Sequence, residues 1–250
     1  MAETSIDSLY HGKLALEQPR HGYRFSVDAP LLAAFAAGKR YRKAADLGAG
    51  CGVIGLALVR LDVCGHMTLI ELQAGLAELA RSNVARNGFE SRCRVVHADL
   101  RTLKPEPGEQ GYDLVVANPP YQPLGTGHPP RDEMRTIART EKCLSIAELC
   151  RAARRLLKPS GRFCVVFPAR RVDDFMAALK AQGMSVNRLC CCHPRKDEPA
   201  ELVLIEARAG AGGKIVVEPP WVLHTRDGKE SRLLKAILSG RAAGSPCAGS

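Results

Sequence analysis

The fold of this 250-residue chain follows from nine residues, Ala44-Ala45-Asp46-Leu47-Gly48-Ala49-Gly50-Cys51-Gly52. Residues 44–47 predict a short strand, and the apolar residues 53–61 predict a helix. The glycines between them permit a sharp turn and let the backbone approach a ligand closely. The first N–H groups of the helix are also free to bind a ligand. A strand, a glycine-rich turn and a helix in this order are typical of an α/β sheet.

The alternation of strand and helix continues to about residue 206. Four more strands are predicted at 66–71, 93–96, 112–117 and 162–167, with helices at 72–86, 145–157 and 172–181. This alternation favours a parallel sheet with helices on both faces. Two late strands, 185–192 and 202–206, are joined by a connection too short for a parallel crossover, so we expect an antiparallel hairpin at one edge. The predicted fold class is α/β, with seven strands in a mostly parallel sheet.

The regions outside this alternation are expected to be short appendages to one domain. Residues 1–42 form an N-terminal lead-in with a helix predicted at 30–37, and residues 43–208 form the core. Residues 209–250 form a C-terminal extension. It begins with a glycine-rich hinge, carries a short helix predicted at 231–238, and ends in a Gly/Ala/Ser tail that is expected to be disordered.

The composition restricts the class of partner. The formal net charge of +10 favours a polyanion, and nucleic acid before a membrane, although a basic protein without such a partner stays open on charge alone. No apolar run approaches the ~18 residues of a membrane span. The first residues lack the pattern of a signal peptide, and the ten cysteines are mostly scattered singly, as free thiols are. We therefore expect a cytoplasmic protein without a membrane partner.

A cluster at Cys190-Cys191-Cys192-His193 offers a metal site as one interpretation. Zinc sites usually require two spaced pairs of ligands, and no second pair accompanies this cluster. A cysteine-rich strand is the favoured interpretation, and no structural metal is predicted.

Two carboxylates follow the strands next to the glycine-rich turn. Glu71 ends the second strand, at the distance from Asp46 where an acidic residue would accept ribose hydroxyls, and Asp99 follows the third strand. Either one alone is typical of a solvated loop. Together with the glycines they predict a nucleotide-type ligand at the carboxyl ends of the strands. A dinucleotide fits less well, because the turn reads GxGxG and not GxGxxG.

The run Asn118-Pro119-Pro120-Tyr121 directly follows the strand at 112–117, and these residue types together are unsuited to a buried core. The Asn118 amide offers an acceptor oxygen. The two prolines hold the backbone extended, so that a carbonyl can be aimed at a ligand, and the Tyr121 ring offers a stacking face. These four residues predict a clamp for a flat group that carries an NH2.

The order of these motifs resembles the class I S-adenosylmethionine-dependent methyltransferases, in the branch that methylates amino groups. The resemblance covers residues 43–206 and implies a Rossmann-like fold with S-adenosylmethionine as the cofactor. It also implies a role for each motif residue. Asp46 opens the first motif, Gly48 and Gly50 hold the methionine part, Glu71 binds the ribose, Asp99 binds the adenine amino group, and Asn118 to Tyr121 form the catalytic motif, in which Asn118 also contacts the cofactor.

Stretches beyond these motifs are similar to the bacterial tRNA valine adenine-N6 methyltransferases. They are residues 22–28, 135–141, 193–206 and 217–220. This resemblance implies that the partner is tRNA and that the target is adenine 37 beside the anticodon. Methyl transfer would be direct, onto the N6 nitrogen of a flipped base, with Tyr121 stacked on it.

The segment after Tyr121 is basic. Arg131, Arg135 and Arg139 are spaced by four residues, so a helix would present all three on one face. One interpretation is contact with tRNA phosphates. The other is a solvated face on which the carboxylates of the same segment pair with the arginines.

Three other functions compete with tRNA methylation. A protein glutamine-N5 methyltransferase uses the same clamp, because an amide NH2 makes the same demands, but it usually carries a helical N-terminal substrate domain. About 40 residues precede the first core strand here. A DNA adenine methyltransferase commonly has a separate target-recognition domain. An RNA-binding module with a vestigial cofactor fold would not need the glycines and carboxylates that this chain retains.

Overall fold

The structure is a computed structural model that describes residues 3–20, 26–104, 111–119, 144–210 and 214–241. The helices in these ranges are α1 (Asp28–Ala36), α2 (Val53–Arg60), α3 (Ala74–Arg86), α4 (Ile146–Leu156), α5 (Val172–Ala181) and α6 (Arg232–Leu238). The strands are β1 (Thr4–Leu9), β2 (Leu14–Pro19), β3 (Tyr41–Leu47), β4 (Cys64–Glu71), β5 (Cys93–His97), β6 (Tyr112–Ala117), β7 (Leu157–Pro168), β8 (Met184–His193), β9 (Leu202–Ala209), β10 (Val216–Val217) and β11 (Trp221–Val222).

The main sheet has the strand order β10-β8-β9-β7-β6-β3-β4-β5, and β11 also pairs with β8. Strands β5, β4, β3, β6 and β7 are parallel, while β9 runs antiparallel between β7 and β8. The predicted α/β class and the antiparallel hairpin β8–β9 are confirmed. The strand count is corrected from seven to nine, because β10 and β11 pair with the outer side of β8. These strands have two residues each, too few for a periodic pattern in the sequence.

Helices cover both faces of the sheet. Adjacent residues of β3 show the division, since Ala44 belongs to one buried cluster and Ala45 to the other. The first cluster includes side chains of α1, α2, α3 and α6, and the second includes side chains of α4 and α5. Because successive strand residues face opposite sides, a strand buried on both faces reads as a continuous apolar run.

The start of α4 is fixed by a capping box that follows from its sequence. The Ser145 side chain accepts a hydrogen bond from the Glu148 backbone N–H at 3.2 Å, and the Glu148 carboxylate accepts one from the Ser145 backbone N–H at 2.8 Å. This reciprocal pair satisfies two N–H groups that a helix start leaves free. It therefore fixes the first residue of α4.

The N-terminal lead-in contains a hairpin that the sequence analysis did not predict. Strands β1 and β2 pair in antiparallel register, and Leu14 and Leu16 of β2 are fully buried. The alternation Leu14-Ala15-Leu16-Glu17 is the period-two pattern of a half-buried strand. It was missed because the run is short.

The C-terminal extension packs on the face of the sheet that α1 covers. The Trp221 ring meets Phe35 of α1 edge to face, with the ring centroids 6.4 Å apart. Leu234 and Ile237 of α6 are buried in the first cluster. The predicted tail beyond residue 241 lies outside the described residues, and the domain boundaries at 42 and 208 stay predictions.

Membrane-spanning helices and clusters of metal-binding side chains are both absent from the described ranges. No helix in them is long and apolar enough to cross a membrane. They also contain no group of three or more His, Cys, Asp or Glu side chains placed to hold a metal ion. Cys190 and Cys192 are buried side chains of β8, as a cysteine-rich strand would have them.

Candidate functional site

The register of the sheet brings three predicted site residues to one level. Leu47 of β3 pairs with Ile70 of β4 and with Ala117 of β6. The next residues along these strands are Gly48, Glu71 and Asn118, so they leave the sheet side by side. We call this end of the sheet, where the parallel strands finish, the carboxyl edge. Ligands of open α/β sheets bind at this edge.

The turn after β3 needs its glycines. Gly48, Gly50 and Gly52 have φ angles of +70°, +57° and +91°, in the left-handed region that other residues rarely adopt. A Cβ atom added at Gly48 or Gly50 would meet no other atom within 4 Å. The space beside these two glycines is therefore open, which leaves room for a ligand to approach the backbone. The Gly48 N–H donates to the Ile70 carbonyl at 2.9 Å, which ties the turn to β4.

Glu71 holds the glycine-rich turn in place. One carboxylate oxygen accepts a hydrogen bond from the Gly50 N–H at 2.8 Å, and the other accepts one from the Gln73 N–H at 2.8 Å. The side chain is only 6% exposed. A carboxylate oxygen can accept a second hydrogen bond, so Glu71 can fix the turn and still bind a ligand hydroxyl.

Asp46 is fully buried beneath the turn. Its Oδ2 accepts a hydrogen bond from the Gly55 N–H at 2.9 Å, whereas its Oδ1 has no partner among the described residues. Burial raises the pKa of the Asp46 carboxyl to about 7; the Gly55 hydrogen bond opposes this rise, and the Glu71 charge adds to it. A buried carboxyl with one unpartnered oxygen fits a cationic group of a ligand.

Asp99 lies two residues beyond His97, which pairs with Glu71 in the adjacent strand. Its carboxylate accepts hydrogen bonds from the Arg101 Nε at 2.9 and 3.0 Å, one to each oxygen. This ion pair keeps the carboxylate oriented at the carboxyl edge. Asp99 was predicted as a site residue from the sequence, but Arg101 was not. An arginine two residues further along a loop forms no recognisable sequence pattern.

Asn118 follows β6 directly and is 9% exposed, and Pro119 is buried beside it. The structure thus places the first half of the predicted clamp at the carboxyl edge, level with the glycine-rich turn. Pro120 and Tyr121 lie outside the described residues. So do Arg131, Arg135 and Arg139.

Asn83 of α3 is a site residue that sequence reasoning missed. Its fully buried amide donates hydrogen bonds to the Cys51 carbonyl of the turn at 2.9 Å and to the Glu17 carbonyl of β2 at 2.8 Å. The Glu17 N–H donates to the amide oxygen in return. Asn87, one helical turn later, makes the equivalent pair with Ala15 at 3.0 and 2.7 Å but has no bond to the turn. Two asparagines four residues apart were the available signal.

Comparisons with known proteins agree on the type of protein. The family model described as the methyltransferase small domain matches residues 27–182. The chain is similar to the tRNA1(Val) (adenine(37)-N6)-methyltransferase of Parabacteroides distasonis, with 29% identity over 202 residues, 81% of each chain. It is equally similar to the protein of that name from Aeromonas hydrophila, with 29% identity over 217 residues, 86% of this chain and 89% of that one.

Solved structures support the same fold. A protein described as a predicted O-methyltransferase, Atu636 from Agrobacterium tumefaciens, matches with a TM-score of 0.67 and 26% identity over 87% of this chain and 98% of its own. The M. jannaschii TYW2 structure in complex with AdoMet matches with a TM-score of 0.55 and 14% identity over 84% of this chain and 88% of its own. At that identity the second match shows the fold alone.

Proposed function

Because this chain belongs to the methyltransferase small domain family, we propose that it methylates the N6 nitrogen of an adenine in tRNA. Membership in this family confirms that the protein is an enzyme and that its cofactor is S-adenosylmethionine. The finer assignment, adenine 37 of valine tRNA, is supported by the names of similar proteins that align over most of this chain. We place the reaction in the cytoplasm, where such a tRNA is available.

One observation carries the proposal. Asn118 leaves the sheet at the same level as Gly48 and Glu71, so an amine held by Asn118 lies next to whatever the turn binds. The open space beside Gly48 and Gly50 and the carboxyl of Asp46 buried beneath the turn fit the charged methionine part of the cofactor. Glu71 fits the ribose hydroxyls, and Asp99 fits the adenine amino group of the cofactor.

The residues of this chain act mainly by position and electrostatics. The cofactor supplies an electrophilic methyl group on a sulfonium. The Asn118 side-chain oxygen and the Pro119 carbonyl oxygen accept the two hydrogens of the adenine amine, which orients its lone pair for attack. The bound cofactor would supply the methyl group to this nitrogen, with the thioether sulfur as the leaving group. The amine then loses one proton, which becomes acidic only after transfer, so no strong base is required.

The test is transfer of labelled methyl from S-adenosylmethionine to bulk tRNA, followed by nucleoside mass spectrometry. The expected product is N6-methyladenosine. Label in protein, with none in tRNA, would contradict the proposal and favour glutamine methylation, which the same clamp could support. Label in DNA or in a different nucleoside would contradict it as well.

Cofactor affinity is expected to rise with pH. The Asp46 carboxyl has a pKa of about 7, raised by burial, so it is mostly protonated at pH 6 and mostly ionised at pH 8. Only the ionised form attracts a cationic methionine group, so the affinity should increase roughly tenfold between these pH values. Calorimetric titration at both values measures the change. In Asp46→Asn the remaining pH dependence reports the titration of the cofactor itself. Equal pH dependence in both proteins would remove Asp46 from the cofactor site.

Asn83→Asp is expected to weaken cofactor binding about tenfold, because an aspartate cannot donate to the Cys51 carbonyl. Asn87→Asp is the matched control: it also loses the donor to β2 but leaves the turn untouched. Both variants should lower the melting temperature, and only the first should raise the KM for S-adenosylmethionine while kcat stays near that of the wild type. Similar KM values for the two variants would show that Asn83 contributes to stability alone and not to cofactor binding.

The three arginines at 131, 135 and 139 complete the proposal. Their contact with tRNA phosphates stays a prediction, since they lie outside the described residues. Among the described residues, positive charge is also grouped at the opposite end of the sheet.

A further inference from the structure

Within the described residues, the excess positive charge is concentrated away from the carboxyl edge. We call the opposite end of the sheet, where β3, β6, β7 and β8 begin and β9 ends, the amino edge. Between β4 and β8, the amino edge and the adjoining halves of β8 and β9 carry nine cations: Lys39, Arg40, Arg42, Lys43, Arg60, Lys158, Arg162, Arg188 and Arg208. Four carboxylates accompany them: Asp62, Asp113, Glu206 and Glu218. This excess of five is half of the formal net charge of +10.

The densest part of this surface is the run Lys39-Arg40-Tyr41-Arg42-Lys43 at the start of β3. Lys39, Arg40 and Arg42 are exposed, and the Lys39 ammonium lies 6.0 Å from the centre of the Tyr41 ring. Arg40 shares Asp62 with Arg92, so one carboxylate serves two guanidinium groups. Short runs of lysine and arginine on a surface are typical of contacts with nucleic acid.

The positive charge continues across the neighbouring strands. Glu206, which is buried, accepts hydrogen bonds from Arg162 at 3.0 Å and from Arg188 and Arg208 at 3.3 Å each. Arg162 pairs with Arg208 in the register of β7 and β9, so these side chains lie in one row. Three guanidinium groups that share one carboxylate retain a positive charge, even though Glu218 pairs with Arg188.

The described part of the carboxyl edge has the opposite balance. The carboxyl ends of β3 and β4 and the segments that follow β3, β4, β5, β7 and β8 carry eight carboxylates: Asp46, Glu71, Asp99, Asp173, Asp174, Asp197, Glu198 and Glu201. The same segments carry six cations: Arg101, Lys104, Arg170, Arg171, Arg195 and Lys196. A polyanion is therefore attracted more strongly to the amino edge than to the described part of the edge that holds Asn118.

We propose that the amino edge binds phosphates of the tRNA outside the loop that is modified. This inference rests on the proposed function, since it requires an RNA at Asn118. Strand β3 has seven residues, so the two edges are roughly 20 Å apart. The arms of a folded tRNA extend well beyond this distance from the nucleotide under modification. The amino edge then supplies affinity that does not depend on sequence, while the carboxyl edge selects the base.

The test uses two triple variants and two RNAs. Lys39→Gln/Arg40→Gln/Arg42→Gln removes three exposed cations from the amino edge. Lys13→Gln/Arg81→Gln/Lys235→Gln removes three exposed cations elsewhere and is the matched control for net charge. Each protein is titrated with full-length tRNA and with an isolated anticodon stem-loop at several salt concentrations.

The amino-edge variant should bind full-length tRNA about 10- to 100-fold more weakly at low salt. Its salt slope should fall by roughly one for each lost phosphate contact. Its affinity for the stem-loop and for S-adenosylmethionine should stay within twofold of the wild type. Equal losses in the two triple variants, equal losses for the two RNAs, or unchanged tRNA binding would each overturn the inference; the last would point to an acidic protein as the partner. A wild-type protein that forms no N6-methyladenosine in tRNA would instead overturn the proposed function.

Discussion

Asn118→Ala is expected to lower the rate of methyl transfer to tRNA by about 100- to 1,000-fold, the usual effect of deleting one positioned polar group in an active site. The affinity for S-adenosylmethionine should change by no more than a few-fold, because the turn, Glu71 and Asp99 remain. The reason for this difference is that the amide acts on the adenine amine, whose lone pair is delocalised into the ring until its hydrogens are held. Single-turnover rates with saturating tRNA, together with calorimetric titration of the cofactor, separate the two effects.

Asn187→Ala provides the control, since it makes the same substitution in β8, away from the carboxyl edge. It should leave the rate and the cofactor affinity unchanged. A rate for Asn118→Ala within tenfold of the wild type would contradict the assigned role. A loss of cofactor affinity as large as the loss of rate would do so too, since it would place Asn118 in cofactor binding alone.

Glu71→Ala is expected to raise the Kd for S-adenosylmethionine by at least ~100-fold. The substitution removes the acceptor of the Gly50 and Gln73 N–H groups, so the glycine-rich turn is no longer held in the shape that receives the cofactor. A hydrogen bond to a charged group is worth about 1.5–3 kcal/mol. The ribose hydroxyls lose their acceptor as well. Since about 1.4 kcal/mol corresponds to a tenfold change in Kd, losing two of these interactions is sufficient for the expected effect.

Glu71→Gln separates the role of the charge from that of the shape. Its side-chain oxygen can still accept from one N–H group, so its Kd should lie between those of the wild type and Glu71→Ala. Glu78→Ala on the exposed face of α3 is the control for a lost carboxylate and should bind normally. A Kd for Glu71→Ala within fivefold of the wild type, with the protein folded by circular dichroism, would exclude Glu71 from the cofactor site.

Most of the core could be predicted from the sequence, because its signals are local. The bounds of β6 and α5 agree with the predicted ranges 112–117 and 172–181. The turn from Asp46 to Gly52 can be recognised in the sequence by its glycine-rich composition. Parallel pairing then places Gly48, Glu71 and Asn118 at one edge. The roles of these residues in binding and catalysis stay predictions that the variants above address.

The parts that were missed depend on contacts between distant segments. The hairpin β1–β2 is held by Asn83 and Asn87, which lie far along the chain from it. Strands β10 and β11 exist only because the outer side of β8 is available for pairing. The concentration of charge at the amino edge is likewise invisible in sequence order, since its nine cations lie in or next to five different elements.

The pairing of β2 with Asn83 has a consequence for how the protein is made. Glu17 and Asn83 are 66 residues apart, so at ~5–20 residues per second the ribosome releases the hairpin several seconds before the helix that receives it. Until α3 emerges, the backbone groups of β2 that bind Asn83 and Asn87 are exposed to water. Because the same amide also binds the Cys51 carbonyl, we expect docking of the hairpin and completion of the glycine-rich turn to occur together. We therefore expect the glycine-rich turn to reach its final form only after α3 has left the ribosome.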